Sequence, residues 1–485
     1  MDPEQVEAKR HEPVNEYERE PVPAHALLGL KSYVGQFAGE HVAGTELMIG
    51  PLFLAHGVSA ANFIFGLLIG NLLAVLSWTF FTAPIATRVR LTLYFQLEKI
   101  CGRALVSLYN LANGVMFTIL AGAMITVSAT ALGIYFKFSM PQLTDRLPTG
   151  AGWVVAVLAT GVLFSLVAAY GYRFISRFAN LAAPWMVLVF VAFGIVGFRQ
   201  MGLTRLGDFW RIASTVIWTG APPQAGQIKF TFWHVLFFAW FCNMAWHIGM
   251  ADLSLFRYAR KSSYGLASAA GMYIGHFMAW IAASVLYAVQ LHQDPANTAV
   301  LPGPLAYRAC GLAGLLAVVA AGWTTANPTL YRAGLAFQSL LPTSSRFRVT
   351  LITGLVASVT AVFPIVTMRL LDFVALWGLI LMPMGAVIFM DFWVLPRIGL
   401  RSNFAEAAGL RFNWAAGLAW FLTLAIASAL VLTGRTQIFF VSLPGWFVTS
   451  LSYLLLSKLV QRAPGRLARL VAQDQDDPNP GLQDR

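Results

Sequence analysis

The chain has 485 residues, 58% hydrophobic and only 11% charged, against about 25% charged in soluble globular domains. This composition excludes a soluble globular protein and indicates a polytopic membrane protein. The formal net charge of +12 sits in short segments between apolar runs, which speaks for membrane topology rather than nucleic-acid binding.

Residues 1–30 are charged and carry Pro13, Pro21 and Pro23, the composition of a disordered cytoplasmic tail, with no cleavable signal peptide in view. A helix needs about 20 apolar residues to cross a bilayer. Twelve such runs follow, near residues 33–57, 59–82, 104–136, 150–170, 179–198, 231–251, 264–290, 305–338, 349–367, 370–390, 413–433 and 438–460. Residues 31–460 thus form one membrane domain, and the polar 461–485 reads as a second cytoplasmic tail. With the amino terminus inside, the inside loops collect most of the Lys and Arg, among them Arg88, Arg90, Arg173, Arg177, Arg257, Arg260, Arg332, Arg346 and Arg348, as the positive-inside rule requires. Both termini are therefore expected in the cytoplasm. The main exception is the external loop 199–230. It is amphipathic near Asp208-Phe-Trp-Arg-Ile212, is interrupted by Pro222-Pro223, and is expected to lie along the outer interface. Runs 104–136 and 305–338 exceed one crossing; tilt or extension into an interface would absorb the excess.

The first run carries Glu40, His41 and Glu46 among Gly35, Gly39, Gly44 and Gly50. A carboxylate at mid-membrane costs about 3 kcal/mol on insertion scales, and each glycine weakens a helix by about 1 kcal/mol relative to Ala. Such a segment is a poor lipid-facing helix and a good wall for an internal polar site, with unwound backbone as ligand. If the first five spans repeat as the next five with inverted topology, spans one and six correspond and both should be interrupted. Span six places Asn243 and His247 on one helical face at i, i+4, with Gly249 just beyond. Span eight carries the adjacent hydroxyls Thr324 and Thr325 ahead of Asn327-Pro328. Hydroxyl and carbonyl oxygens suit a hard cation such as Na⁺, although membrane Ser and Thr commonly bond back to their own helix. Pro328 removes one helix hydrogen bond. Cys101, Cys242 and Cys310 have no metal-ligand spacing.

The segment Trp323-Thr-Thr-Ala-Asn-Pro-Thr-Leu-Tyr-Arg-Ala-Gly-Leu-Ala-Phe337 resembles the span-eight signature of bacterial cytosine permeases, in the nucleobase–cation symporter family. Other pieces match in the same order: Ile69-Gly-Asn-Leu-Leu73, Ala251-Asp-Leu-Ser-Leu-Phe-Arg-Tyr-Ala-Arg260, Pro383-Met-Gly-Ala-Val-Ile-Phe-Met-Asp391 and Phe412-Asn-Trp414. The resemblance implies an all-α membrane protein of twelve transmembrane helices, with a LeuT-type inverted repeat (spans 1–5 and 6–10) and two peripheral helices. It implies a substrate site between spans one, three, six and eight. Thr324 and Thr325 fall on that family's sodium-binding hydroxyl pair, and backbone carbonyls near Glu40 and Ala43 would complete the cation site. Ala321 stands where the family has a side-chain amide in that region. Ala326 stands where it has a base-binding Asn, with Asn327 displaced by one. The stacking Trp of span three is absent from 104–136, and Phe117 is the nearest aromatic substitute.

Glu46 aligns near that family's substrate-contacting turn of span one, with Gly44 and Thr45 as candidates beside it, while Asn243 and His247 of span six, with Cys242 next to them, are candidate pocket residues on their own account. Glu46 has three readings: a hydrogen-bond acceptor or counter-ion for substrate, a proton carrier, or a structural group capping helix N–H groups or pairing with His247. Trp240 and Trp246 are candidates for stacking on a flat ring. Asp252 is expected to form an inner gate or loop ion pair with Arg257 and Arg260.

The expectation is a monomeric, multi-pass symporter of the inner membrane. It would import a nucleobase or related small heterocycle, coupled to Na⁺ or H⁺, without another cofactor. One rival is a symporter of a non-nucleobase solute such as an amino acid or organic cation. Another is a transport-inactive membrane receptor, against which the lack of a soluble output domain speaks. No metal-ligand set, nucleophile–base pair or phosphate loop points to an enzyme.

Overall fold

The computed structural model describes residues 16–142, 145–221, 228–365 and 370–462. Its first apolar run folds as two helices. α1 (Leu30–His41) stops at Val42, and α2 (Glu46–Ala55) begins after the non-helical stretch 42–45. The long helices α3 (Ala60–Val89), α4 (Arg103–Phe136), α5 (Ala151–Ala169) and α6 (Tyr172–Gln200) follow. α7 (Phe232–Phe241) dissolves into turns over 242–252 before one helical turn at Leu253–Phe256. Then come α8 (Ser262–Gln293), α9 (Pro302–Leu340), α10 (Arg346–Ala361), α11 (Leu370–Phe389), α12 (Trp414–Leu432) and α13 (Ile438–Gln461).

Among the described residues, nine helices are long and apolar enough to cross a membrane. The expected runs 33–57, 231–251 and 349–367 supply none of the nine. The first two are interrupted, and α10 spans 16 residues. The excess length of run 305–338 has a local cause. α9 is two helices joined at a kink, where Cys310 (φ −136°, ψ 16°) and Gly311 (φ 56°, ψ −135°) leave helical geometry. Gly311 tolerates that positive φ because it has no Cβ. Pro328 lies inside α9 without breaking it.

α4 is the innermost long helix, with 83% of its most apolar window buried, against 33% for α6. It packs along α9, while α1 lies against α6 and α8, and α2 against α8. α12 and α13 pack on each other and on α11. Within α8, after a 3₁₀ start at Ser262–Ala267, Ala270–Phe277 is a π-helical segment, a form that appears frequently at functional sites. It approaches α1 closely through Gly271 and Gly275: a Cβ on Gly275 would sit 2.6 Å from the His41 Cβ. This is the small-residue spacing by which membrane helices bring their backbones together.

Residues 16–29 differ from the disordered tail expected for 1–30. Val22 and Ala26 are buried, and Arg19 pairs with Glu98 at 2.9 Å. The Tyr172 N–H donates to the Glu16 carboxylate (2.9 Å), Arg257 donates to the Tyr17 carbonyl (2.6 Å), and Leu28 N–H donates to the Tyr258 carbonyl (2.7 Å). Apolar side chains and matched charges give this segment enough to bury. The rest of that tail, residues 1–15, and 463–485 lie outside the described residues. In loop 199–230, Phe209–Ile212 is helical, with Ile212 buried and Trp210 and Arg211 exposed, while Pro222-Pro223 falls outside the described residues.

Candidate functional site

The two interrupted segments meet at one cavity of about 50 Å³. Its walls are Glu40, His41, Thr45, Glu46 and Ile49 from the first interruption, and Cys242, Asn243 and Trp246 from the second. Leu120 and Met124 of α4, His276 of α8, Thr325 of α9 and Val374 of α11 complete it. Pockets that enclose organic ligands are typically about 300–1,000 Å³, so this cavity is too small to enclose one as it stands. Two larger clefts of about 560 and 540 Å³ are apolar. They lie on the outer faces, between α6 and α8 and between α4 and α10, and among the described residues neither is lined by a carboxylate.

The first interruption is shaped by Gly44. A Cβ there would lie 2.6 Å from Val127 of α4 and 3.5 Å from the Val318 carbonyl of α9. The chain turns tightly enough for Glu46 N–H to reach the Ala43 carbonyl (3.1 Å), Leu47 N–H the Gly44 carbonyl (3.3 Å) and Met48 N–H the Thr45 carbonyl (2.9 Å). In the second interruption Met250 has φ 62°, an uncommon conformation for a residue with a Cβ. Backbone bonds hold it: Gly249 N–H to the Met244 carbonyl (2.8 Å) and Asp252 N–H to the Trp246 carbonyl (3.1 Å). The freed His247 carbonyl accepts from the Thr82 hydroxyl of α3.

At the hydroxyl pair, Thr325 Oγ1 lies 2.7 Å from the Ala321 carbonyl and 3.2 Å from the Glu40 carbonyl across the helix gap. Thr324 Oγ1 lies 3.2 Å from the same Ala321 carbonyl and 3.8 Å from Met186 Sδ. Both hydroxyls thus bond back to their own helix, and Thr325 alone also reaches α1. The Ala43 carbonyl is engaged by Glu46 N–H.

Glu40, beside the gap, turns its carboxylate to Arg332 (Nη1–Oε1 2.6 Å), with Gln36 Nε2 at 3.2 Å. Arg332 also pairs with Asp252 (2.5 Å), whose other oxygen accepts from Trp78 Nε1 (2.7 Å). All three charged side chains are nearly inaccessible. This corrects two expectations. Arg332 is a buried centre within α9 rather than a loop residue, because two carboxylates offset its desolvation. Asp252 pairs with it rather than with Arg257, which instead reaches the Tyr17 carbonyl and the Tyr331 hydroxyl. Arg260 is exposed.

Glu46 accepts from Trp280 Nε1 of α8 and lies 3.6 Å from His276 Nε2. Asn243 Nδ2 is 3.4 Å from the same ring nitrogen, and His276 stacks on Trp280 at 4.4 Å. The structure therefore gathers Glu40, Thr45, Glu46, Cys242, Asn243 and Thr325 on one wall surface. Ala43, Gly44, Ala321 and Thr324 lie behind it. His247 is turned away, bonding the Trp240 carbonyl (2.9 Å) and facing Trp78 (4.7 Å), so Glu46 has His276 beside it rather than His247. Phe117 is off the wall, edge-on to Trp377 at 4.4 Å and behind Trp246 at 6.2 Å. Trp246 reaches the wall and Trp240 does not. Ala326 packs in the apolar core. The amide of Asn327 is fully buried with no partner among the described residues. His276, Trp280 and the pairing of Arg332 escaped sequence reasoning. The available signals were Gly271-Met-Tyr-Ile-Gly275 just before His276, and the seven-residue step from Thr325 to Arg332, which keeps one helix face.

Known proteins supply a likeness in fold. No family model and no curated protein sequence matches the chain. A solved structure of Mhp1, described as a nucleobase-cation-symport-1 family transporter in a closed conformation with bromovinylhydantoin bound, matches with TM-score 0.68 at 15% identity, covering 94% of this chain and 99% of that one. An inward-facing conformation of Mhp1 matches with TM-score 0.67 at 14% identity, covering 94% and 97%. A substrate-bound, outward-open Na⁺-coupled sialic acid symporter matches with TM-score 0.65 at 14% identity, covering 93% of each chain. The chain therefore has the all-helical fold of these transporters.

Proposed function

We propose that the protein is a secondary active transporter that carries a small organic solute across the membrane together with Na⁺ or H⁺. The observation that carries this reading is the meeting of two interrupted helices around one cavity, with the Thr325 hydroxyl 3.2 Å from the Glu40 carbonyl across the gap. Unwound backbone at such breaks is where transporters of this fold hold ions and solutes. The chain is read as twelve spans with both termini cytoplasmic. Spans one and six are the broken pair of an inverted repeat, and α12 and α13 are peripheral. The solute is taken to be a nucleobase or a related small heterocycle, following the motif resemblance around Thr324 and Thr325. The cation site is assigned to the Thr325 and Thr324 hydroxyls with carbonyls of Ala321, Glu40 and Ala43, and the solute site to the Glu46, Thr45, Cys242 and Asn243 wall.

Uptake into proteoliposomes, driven separately by a Na⁺ gradient and by a pH gradient, tests the reading. Accumulation above passive leak that collapses with one gradient is the expected result. Uptake that never exceeds leak for any heterocycle, amino acid or organic cation would overturn it in favour of a receptor.

A further inference from the structure

In a transporter with a broken first helix, the start of the second half-helix is a place for an anion, because free N–H groups and the positive end of the helix dipole face the solute. Here that place is closed on two counts. The N–H groups of Glu46, Leu47 and Met48 already donate to the turn carbonyls of Ala43, Gly44 and Thr45. The position itself is filled by the chain's own carboxylate, Glu46.

That carboxylate has no fixed cation. Among the described residues no Lys or Arg lines the cavity, and Arg332 is committed to Glu40 and Asp252. The polar neighbours of Glu46 are the indole N–H of Trp280 and the imidazole of His276, 3.6 Å away. A buried carboxylate needs a counter-charge or full hydrogen bonding. The wall also retains unused polar capacity. His276 Nδ1 and Trp246 Nε1 are buried and have no partner among the described residues, though both residues line the cavity. The Trp246 ring, which lies 5.5 Å from the Arg332 guanidinium, also lines the cavity and adds an aromatic surface of the kind that attracts cations.

We propose that this cavity recognises a small organic cation whose positive nitrogen carries N–H donors, of the ammonium or amidinium type. Glu46 is its counter-ion, Asn243 and His276 meet the remaining polar edge, and Trp246 covers its face. The proposal rests on the transporter reading for the opening that admits the solute, and departs from it in substrate class, an N–H-bearing cation in place of a neutral nucleobase: a carboxylate-bearing solute would face Glu46 with no backbone N–H of the turn left to hold it.

Matched probes test this on the full-length protein. Phenethylamine is set against phenylalanine, and benzamidine against benzamide, with uracil as a neutral base. Binding is read by thermal shift and uptake in proteoliposomes. The cationic member of each pair is expected to bind at least tenfold more tightly, and Glu46→Gln to remove that preference while Glu46→Asp keeps part of it. Equal or tighter binding of phenylalanine, benzamide or uracil in the wild type overturns the proposal, and this arm stands even if Glu46→Gln does not fold. An unchanged preference in Glu46→Gln also overturns it. Uptake of a neutral probe driven by an inward proton gradient and lost in Glu46→Gln gives Glu46 to a proton, and again overturns it while the transporter reading survives. A folded protein that takes up none of the probes and no other solute overturns both.

Discussion

Glu40 meets α9 at two points: its backbone carbonyl lies 3.2 Å from the Thr325 hydroxyl, while the side chain of Arg332, two helical turns further along α9, holds its carboxylate at 2.6 Å. The candidate cation site and the buried ion cluster are thus joined through a single residue of α1.

Arg332→Met is expected to leave Glu40 and Asp252 buried without a counter-charge. Breaking a buried ion cluster by removing one partner costs about 3–5 kcal/mol. Thermal unfolding in detergent should show that loss. The triple variant Arg332→Met, Glu40→Gln, Asp252→Asn should recover much of it, because no lone charge remains. A triple variant as unstable as the single one would show that packing of the arginine stem, not charge, sets the cost.

Thr325→Ala should weaken substrate binding and its dependence on the coupling cation together, by about tenfold, or ~1.4 kcal/mol of coupling. Thr324→Ala should do less, since its hydroxyl faces Met186 rather than the gap. Thermal shift across a Na⁺ titration checks both. Cation dependence in Thr325→Ala equal to wild type would remove the assigned site.

Gly275→Leu should push the π-helical part of α8 away from His41 and carry His276 out of line with Glu46. Overpacking of this kind costs about 1–3 kcal/mol. Chemical denaturation should register the loss, and substrate binding should fall further than in Gly207→Ala, where nothing lies within 4 Å of the added carbon.

Trp280→Phe keeps a ring beside His276 and deletes the N–H that Glu46 accepts. Leaving a buried acceptor short of one donor costs about 1–3 kcal/mol, visible as a lower melting temperature without ligand. If Glu46 uses an organic cation as counter-ion, saturating phenethylamine should return part of that loss.

Where the helices break was legible in the residues themselves. Gly44 two residues before Glu46, and Asn243 ahead of Gly249, are local conflicts that a lipid-facing helix does not tolerate. The paired hydroxyls Thr324 and Thr325 were legible for the same reason. What stayed hidden depends on distant partners. His276 reads as an ordinary helix residue until two glycines bring it to α1. Arg332 reads as loop charge because the carboxylates that make its burial tolerable come from residues 40 and 252. The apolar runs were visible at 33–57 and 231–251, yet length alone does not reveal that a run is served by two short pieces.

The segment 16–29 never touches the cavity, yet it lies across the end of the bundle that carries Arg257, Tyr258 and Arg346, tied there through Glu16, Tyr17 and Leu28. On the transporter reading proposed above, an exit on that side would have to lift this strap. Release would then be timed by a stretch of chain remote from the cargo, and amide exchange at 22–28 should quicken in step with turnover.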